Sequence, residues 1–176
     1  TPKNKFIPRG GDLSFDDGLK KLQISGDNGL IGGLFFGDEL IVKDAFEPVM
    51  FDDYPDPWGW GMKKIGKNPL PFGLSSCKRG VFKGLSPVNV IEDGGVLTEV
   101  ETLFEKESSF VRIDCKIYKG LPFIDVTTDV YWNETDKALK LKIPCALKGK
   151  FIGQIPYASD EFSKNGEEIT AHRFVG

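Results

Sequence analysis

The sequence predicts an all-β protein, a large antiparallel two-sheet sandwich, and three observations carry that reading. Apolar and polar residues alternate through consecutive segments between positions 96 and 143. No long window sustains the three-and-four apolar spacing of a helix. Clusters rich in Gly, Pro, Asp and Asn punctuate the apolar segments at short intervals.

The alternation predicts a four-strand meander and its register. Val96, Thr98, Val100, Thr102 and Phe104 share one face, and Val111, Ile113, Cys115 and Ile117 continue it on the next strand. Glu99, Glu101, Glu105, Arg112, Asp114 and Lys116 take the opposite, wet face. The third strand sets Ile124, Val126, Val130 and Trp132 inward against Asp125, Thr127 and Asp129; the fourth sets Leu139, Leu141 and Ile143 against Lys140 and Lys142.

A type II′ turn at Gly120-Leu121 places Lys116 opposite Asp125, Arg112 opposite Asp129, Tyr118 opposite Phe123 and Phe110 opposite Tyr131. A one-residue slip would lose every match. A further hairpin through 133–136 is expected to set Val130 against Leu139 and Asp129 against Lys140.

A chain of 176 residues is long enough for one sandwich domain, spanning 1–176. The net charge of −3, without any basic run, argues against a nucleic-acid partner. No apolar stretch reaches the length of a membrane helix, and the opening Thr1-Pro2-Lys3 lacks a signal segment. Cys77, Cys115 and Cys145 have no paired spacing, and Cys115 falls on an inward face, so a reduced, cytoplasmic chain is expected. Thr1 in place of an initiator Met, and an abrupt end at Gly176, fit a piece of a longer multidomain chain.

Along the chain, 1–18 reads as polar turns, and strands are expected at 19–24, 30–36, 40–43 and 45–51, with a bulge or close approach at Gly32-Gly33. Strands resume at 77–85 and 88–92, and after the meander at 150–155 and 169–175, with a loop over 157–168.

Between 52 and 72 lies a long decorated loop. Trp58 and Trp60 supply apolar faces that stack on sugar rings, and Asp52, Asp53 and Asp56 supply acceptors for hydroxyls. Calcium ligation by the aspartates, or tryptophans that merely plug the end of a sandwich, stay open as alternatives. His172 is the sole histidine, so no metal site is assigned, and Ser75-Ser76 lack the setting of a nucleophile; no catalytic residue is assigned. Asn133-Glu134-Thr135 spells a glycosylation sequon but reads as a turn in a cytoplasmic chain.

With these residues in view, the chain resembles the C-terminal β-sandwich region of glycoside hydrolase family 38, the retaining α-mannosidases. Asp56-Pro57-Trp58-Gly59-Trp60-Gly61 resembles the family's Asp-Thr-Trp-Gly-His-Gly loop, and Glu92-Asp93-Gly94-Gly95-Val96 its Glu-x-Gly-Pro-Val turn. Val130-Tyr131-Trp132-Asn133-Glu134 with Leu139-Lys140-Leu141-Lys142-Ile143-Pro144 is similar to its Val-x-Trp-x-Glu and Leu-Lys-Leu-x-Phe-Pro pair. Ile155-Pro156-Tyr157, Asn165-Gly166-Glu167-Glu168 and Ala171-His172-Arg173-Phe174 resemble later segments. Gly95, Trp60, Ala158, His172 and Phe174 depart from the family's usual residues.

The resemblance implies a supersandwich like that of galactose mutarotase-like domains, as the non-catalytic portion of an α-mannosidase-like enzyme. It implies zinc and the catalytic carboxylates in a separate α/β domain of the same chain, absent here, with no cofactor in this portion. That domain and a mannose-containing carbohydrate are the expected partners, and Asp56, Trp58 and Trp60 the expected substrate contacts. The chain alone is then inactive. The rival reading is a stand-alone carbohydrate-binding or interaction module; a mutarotase-like epimerase is disfavoured because its general base would have to be the lone His172.

Overall fold

A computed structural model describes residues 5–6 (backbone only), 11–53, 69–162 and 171–176. Asp56, Trp58 and Trp60, the Asn165-Gly166 turn and the first two residues of the expected last strand lie outside the described residues.

The described chain forms fifteen strands: β1 (Lys5–Phe6), β2 (Leu13–Asp16), β3 (Lys20–Ile24), β4 (Ile31–Phe36), β5 (Glu39–Val42), β6 (Glu47–Asp52), β7 (Leu70–Pro71) and β8 (Gly73–Leu74), then β9 (Val88–Asp93), β10 (Leu97–Lys106), β11 (Ser109–Tyr118), β12 (Ile124–Tyr131), β13 (Lys137–Lys142), β14 (Phe151–Ile155) and β15 (Ala158–Phe162). The only helical element among the described residues is a 3-10 turn at Gly80–Phe82.

One layer is a sheet in the order β1-β9-β10-β11-β12, with β8 also paired to β10. The facing layer is divided into β2-β3-β4-β5 and β13-β6-β7. Bridges from Ile31 to Ala45 and from Val42 to Cys145 tie β4 and β5 to the segments flanking β6 and β13. The interior has two parts. Leu22, Ile24, Ile31 and Leu34 meet Val88, Val90, Val100, Cys115 and Ile117; Met50 and Phe72 meet Phe104, Val111 and Ile113. Alternation produces this arrangement, because each strand turns every second side chain toward the opposite layer.

The central register is as expected: Lys116 pairs with Asp125, Arg112 with Asp129 and Phe110 with Tyr131. The rings of Tyr118 and Phe123 lie 5.5 Å apart. The turn itself sits one residue earlier than expected. Leu121 N–H donates to the Tyr118 carbonyl, and Gly120, with φ at 75°, takes the second central position. The Gly32 bulge is present, since Gln23 faces Gly33 while Ile24 faces Ile31.

The fourth strand departs from expectation. β13 pairs with β6, so Leu139 lies opposite Met50 and Lys140 opposite Val49, and neither meets β12. Two causes are visible. Asn133 and Glu134 are tied to the β10–β11 turn: Asn133 N–H donates to Ser109 Oγ, while Ser108 N–H and Ser109 Oγ donate to Glu134 Oε1. The chain therefore crosses to the other layer. There Lys137 pairs with Asp52 and Lys142 with Glu47, matching charge at both ends of β13.

Smaller corrections follow backbone chemistry. Residues 77–85 form no strand, because Cys77, Gly80 and Gly84 all take left-handed φ. A Cβ at Gly80 would stand 2.0 Å from the Phe110 ring, so only glycine fits. The turn carries Phe82 onto Leu103, Cys77 and Phe110, giving the outer face a small apolar cluster where a wet surface was expected. Val96 precedes β10 and is 75% exposed rather than inward. Val130 and Ile143 are likewise exposed. β2 lies within the region read as turns, and β15 within the region read as loop, after Tyr157 turns the chain at φ 64°. The described part of the last expected strand lies against β14: Val175 bridges Gly153, His172 N–H donates to the Gln154 carbonyl, and Gln154 N–H donates to the Phe174 carbonyl.

Candidate functional site

The stretch expected to meet sugar lies between β6 and β7 in the sequence, and its residues 54–68 are outside the described ones. Pro48, Val49, Met50 and Phe51 are buried, which fixes the outgoing strand in the middle of its sheet. Asp53 N–H donates to the Asp136 carbonyl at 2.9 Å, and Phe72 N–H donates to the Pro48 carbonyl at 2.9 Å. The Asp52 carboxylate is taken by the Lys137 ammonium, and this hydrogen bond pushes Lys137 above its ordinary value. Lys140 Nζ stands 5.8 Å from the centre of the Phe51 ring. Asp52 is thus a strut of the scaffold. The described residues on either side of that stretch are thus tied into the sandwich.

A second feature escaped the sequence reading. Lys20 is 2% exposed, and its ammonium donates to Asp17 Oδ2 and to the Tyr118 carbonyl, each at 2.6 Å. Burial pushes Asp17 up, but hydrogen bonds from Lys20 Nζ and from the backbone N–H groups of Lys20, Gly120 and Leu19 prevail. They hold its carboxyl well below the usual carboxylate range. The pair joins the β2–β3 connection to the β11–β12 turn. The signal was available: Lys20 is in phase with Leu22 and Ile24, the inward positions of β3. Beside the pair opens a cleft of about 340 Å³, with Leu13, Phe15, Val90 and Ile117 among its apolar lining and Asp16, Asp93 and Lys119 among its polar lining.

Glu105 and Asp114 also have structural partners. Burial pushes Glu105 up, yet the hydroxyls of Ser75 and Ser76, at 2.7 and 3.0 Å, and Ser76 N–H bring it below its ordinary value. Ser75 is thereby a hydrogen-bond anchor. Asp114 is pushed up, by burial first and then by Glu101, Glu99 and Asp129, against the opposing pull of Arg112. Arg112 bonds Asp129 and stands 3.3 Å from Asp114 and 3.9 Å from Glu101.

Among the described residues no group of three His, Cys, Asp or Glu side chains is placed to hold a metal ion. Cys115 is buried as the inward alternation requires, and its thiol is pushed up to about 12 by burial, with a further push from Asp125. Zinc takes a thiolate, which this position does not supply. No helix of the described residues is long and apolar enough to cross a membrane.

These elements define a class: an antiparallel β-sandwich domain. The profile of the glycosyl hydrolases family 38 C-terminal domain matches residues 16–155, and the chain belongs to that family. The matched span takes in Lys20, the meander and the stretch holding Asp56, Trp58 and Trp60. A comparison with curated proteins finds no match.

Proposed function

We propose that this chain is the non-catalytic β-sandwich portion of an α-mannosidase-like glycoside hydrolase, one domain of a longer protein. It scaffolds a catalytic α/β domain of that protein and borders the sugar site. The membership of residues 16–155 in the family 38 C-terminal domain is the observation that carries this reading. The residues that flank Asp56, Trp58 and Trp60 in the sequence support it further, since Asp53 and Phe72 are tied to the sandwich by backbone hydrogen bonds.

In this reading Trp58 and Trp60 stack against a mannose-containing carbohydrate and Asp56 accepts from its hydroxyls. Zinc and the reacting carboxylates are supplied by the catalytic domain, in a cytoplasmic enzyme. The test is hydrolysis of a chromogenic α-mannoside by the 176-residue chain with zinc supplied. The reading predicts none above buffer, and zinc-dependent turnover by the pure chain overturns it.

A further inference from the structure

The cleft beside the Asp17–Lys20 pair has the make-up of a small-molecule site. Leu13 and Phe15 of β2 line it from one layer, and Val90 of β9 and Ile117 of β11 from the other. Its volume, about 340 Å³, lies at the lower end of the range such sites occupy. Apolar walls with a few polar groups between them are their usual composition.

The polar groups state which chemistry fits. A lysine ammonium carries three N–H donors, and Lys20 Nζ gives one to Asp17 Oδ2 and one to the Tyr118 carbonyl. Its third N–H has no acceptor among the described residues, although Lys20 is 2% exposed and lines the cleft. Asp17 is already engaged at both oxygens: Oδ1 accepts from the N–H groups of Leu19 and Lys20, and Oδ2 from Lys20 Nζ and Gly120 N–H. Acceptors line the same cleft. Asp16 takes Gly18 N–H on Oδ1 and keeps Oδ2 for another donor. Thr98 gives its hydroxyl proton to Asp93 Oδ1 at 3.2 Å and keeps its oxygen as an acceptor.

A ligand that completes these groups accepts from an ammonium and donates to a carboxylate. An amine cation brings donors alone and leaves the Lys20 donor unfilled. A carboxylate or ionised phosphate brings acceptors alone, and sets its charge against Asp16 and Asp93. A hydroxyl does both.

We propose that this cleft binds a small neutral polyol, a compound with several hydroxyls on a compact carbon frame. One hydroxyl accepts from Lys20 Nζ, a neighbouring one donates to Asp16, and the C–H surface lies on the apolar walls.

The probe is myo-inositol, titrated into the isotope-labelled chain and followed by amide chemical shifts, with propylammonium and inorganic phosphate as controls at matched ionic strength. Saturable shifts confined to the cleft-lining residues are expected for inositol and for neither ion. Asp16→Ala, at an exposed position, should weaken binding about three- to tenfold. Asp27→Ala, which removes an exposed acid outside the cleft, should leave it unchanged. Absence of saturation, equal saturation by propylammonium or phosphate, shifts centred elsewhere, or undiminished affinity in folded Asp16→Ala overturns the proposal. Should Asp16→Ala not fold, the three wild-type titrations still decide.

Discussion

The ammonium of Lys20 lies 2.6 Å from the carbonyl oxygen of Tyr118, a contact between residues 98 positions apart in the chain. With Asp17 at the same distance, it joins one sheet to the hairpin of the other. A buried charge held by so few groups makes each of them consequential.

Asp17→Asn is expected to destabilise the fold by about 3–5 kcal/mol, because the Lys20 ammonium would stay buried without its counter-charge. Adding Lys20→Met removes the stranded charge and should return a large part of the loss. Urea denaturation of the two singles and the double measures this; additive losses would show that the pair is not coupled.

Acid should weaken the protein in a defined direction. Asp17 and Glu105 are both lowered in the folded state, so the unfolded chain binds more protons as pH falls. Their contribution is complete above the usual carboxylate range and is lost as pH drops through that range toward the lower folded values. Denaturation midpoints at stepped pH should show this fall, and Asp17→Asn should make it shallower.

Phe82→Ala is expected to cost about 3–5 kcal/mol, since Phe82 is buried and stacks edge-on against Phe110 and Tyr131 at 5.5 and 5.9 Å. Gly80→Ala should also destabilise, by at least about 1–3 kcal/mol, because its Cβ would enter the Phe110 ring at a left-handed φ. Thermal melts of both variants check this; a neutral Gly80→Ala would contradict the packing described.

Thiol labelling should separate the cysteines by burial. Cys145 is exposed and reacts in the native state, whereas Cys115 waits for unfolding because its thiol is enclosed and pushed up to about 12. Mass spectrometry after a short pulse of iodoacetamide should find Cys145 modified and Cys115 intact.

The three-strand register was legible because hairpin partners are close in sequence and Lys116, Asp125, Arg112 and Asp129 leave one register that matches charge. β13 was misplaced by the same kind of argument. Lys140 can match Asp129, but Lys137 and Lys142 match Asp52 and Glu47 better, and those acids lie far upstream where local reading does not look. Buried β6 also needs a neighbour on each edge, a demand that appears only once the layers are assembled. The 3-10 turn was hidden because Val81 and Phe82 resemble a strand, while Gly80 and Gly84 carry the left-handed turns that break it. At the candidate site the sequence named Asp56, Trp58 and Trp60 by chemistry. The Asp17–Lys20 pair went unseen because a lysine in an apolar phase reads as an exposed exception until its partners are placed.

The most direct test of the proposed function is the KM for a chromogenic α-mannoside in the longer enzyme that the proposal posits, wild type against Trp58→Ala. If the loop borders the sugar site, KM should rise roughly tenfold with the sandwich still folded, the loss of an aromatic contact worth about 1 kcal/mol or somewhat more. A KM that does not move would contradict the account.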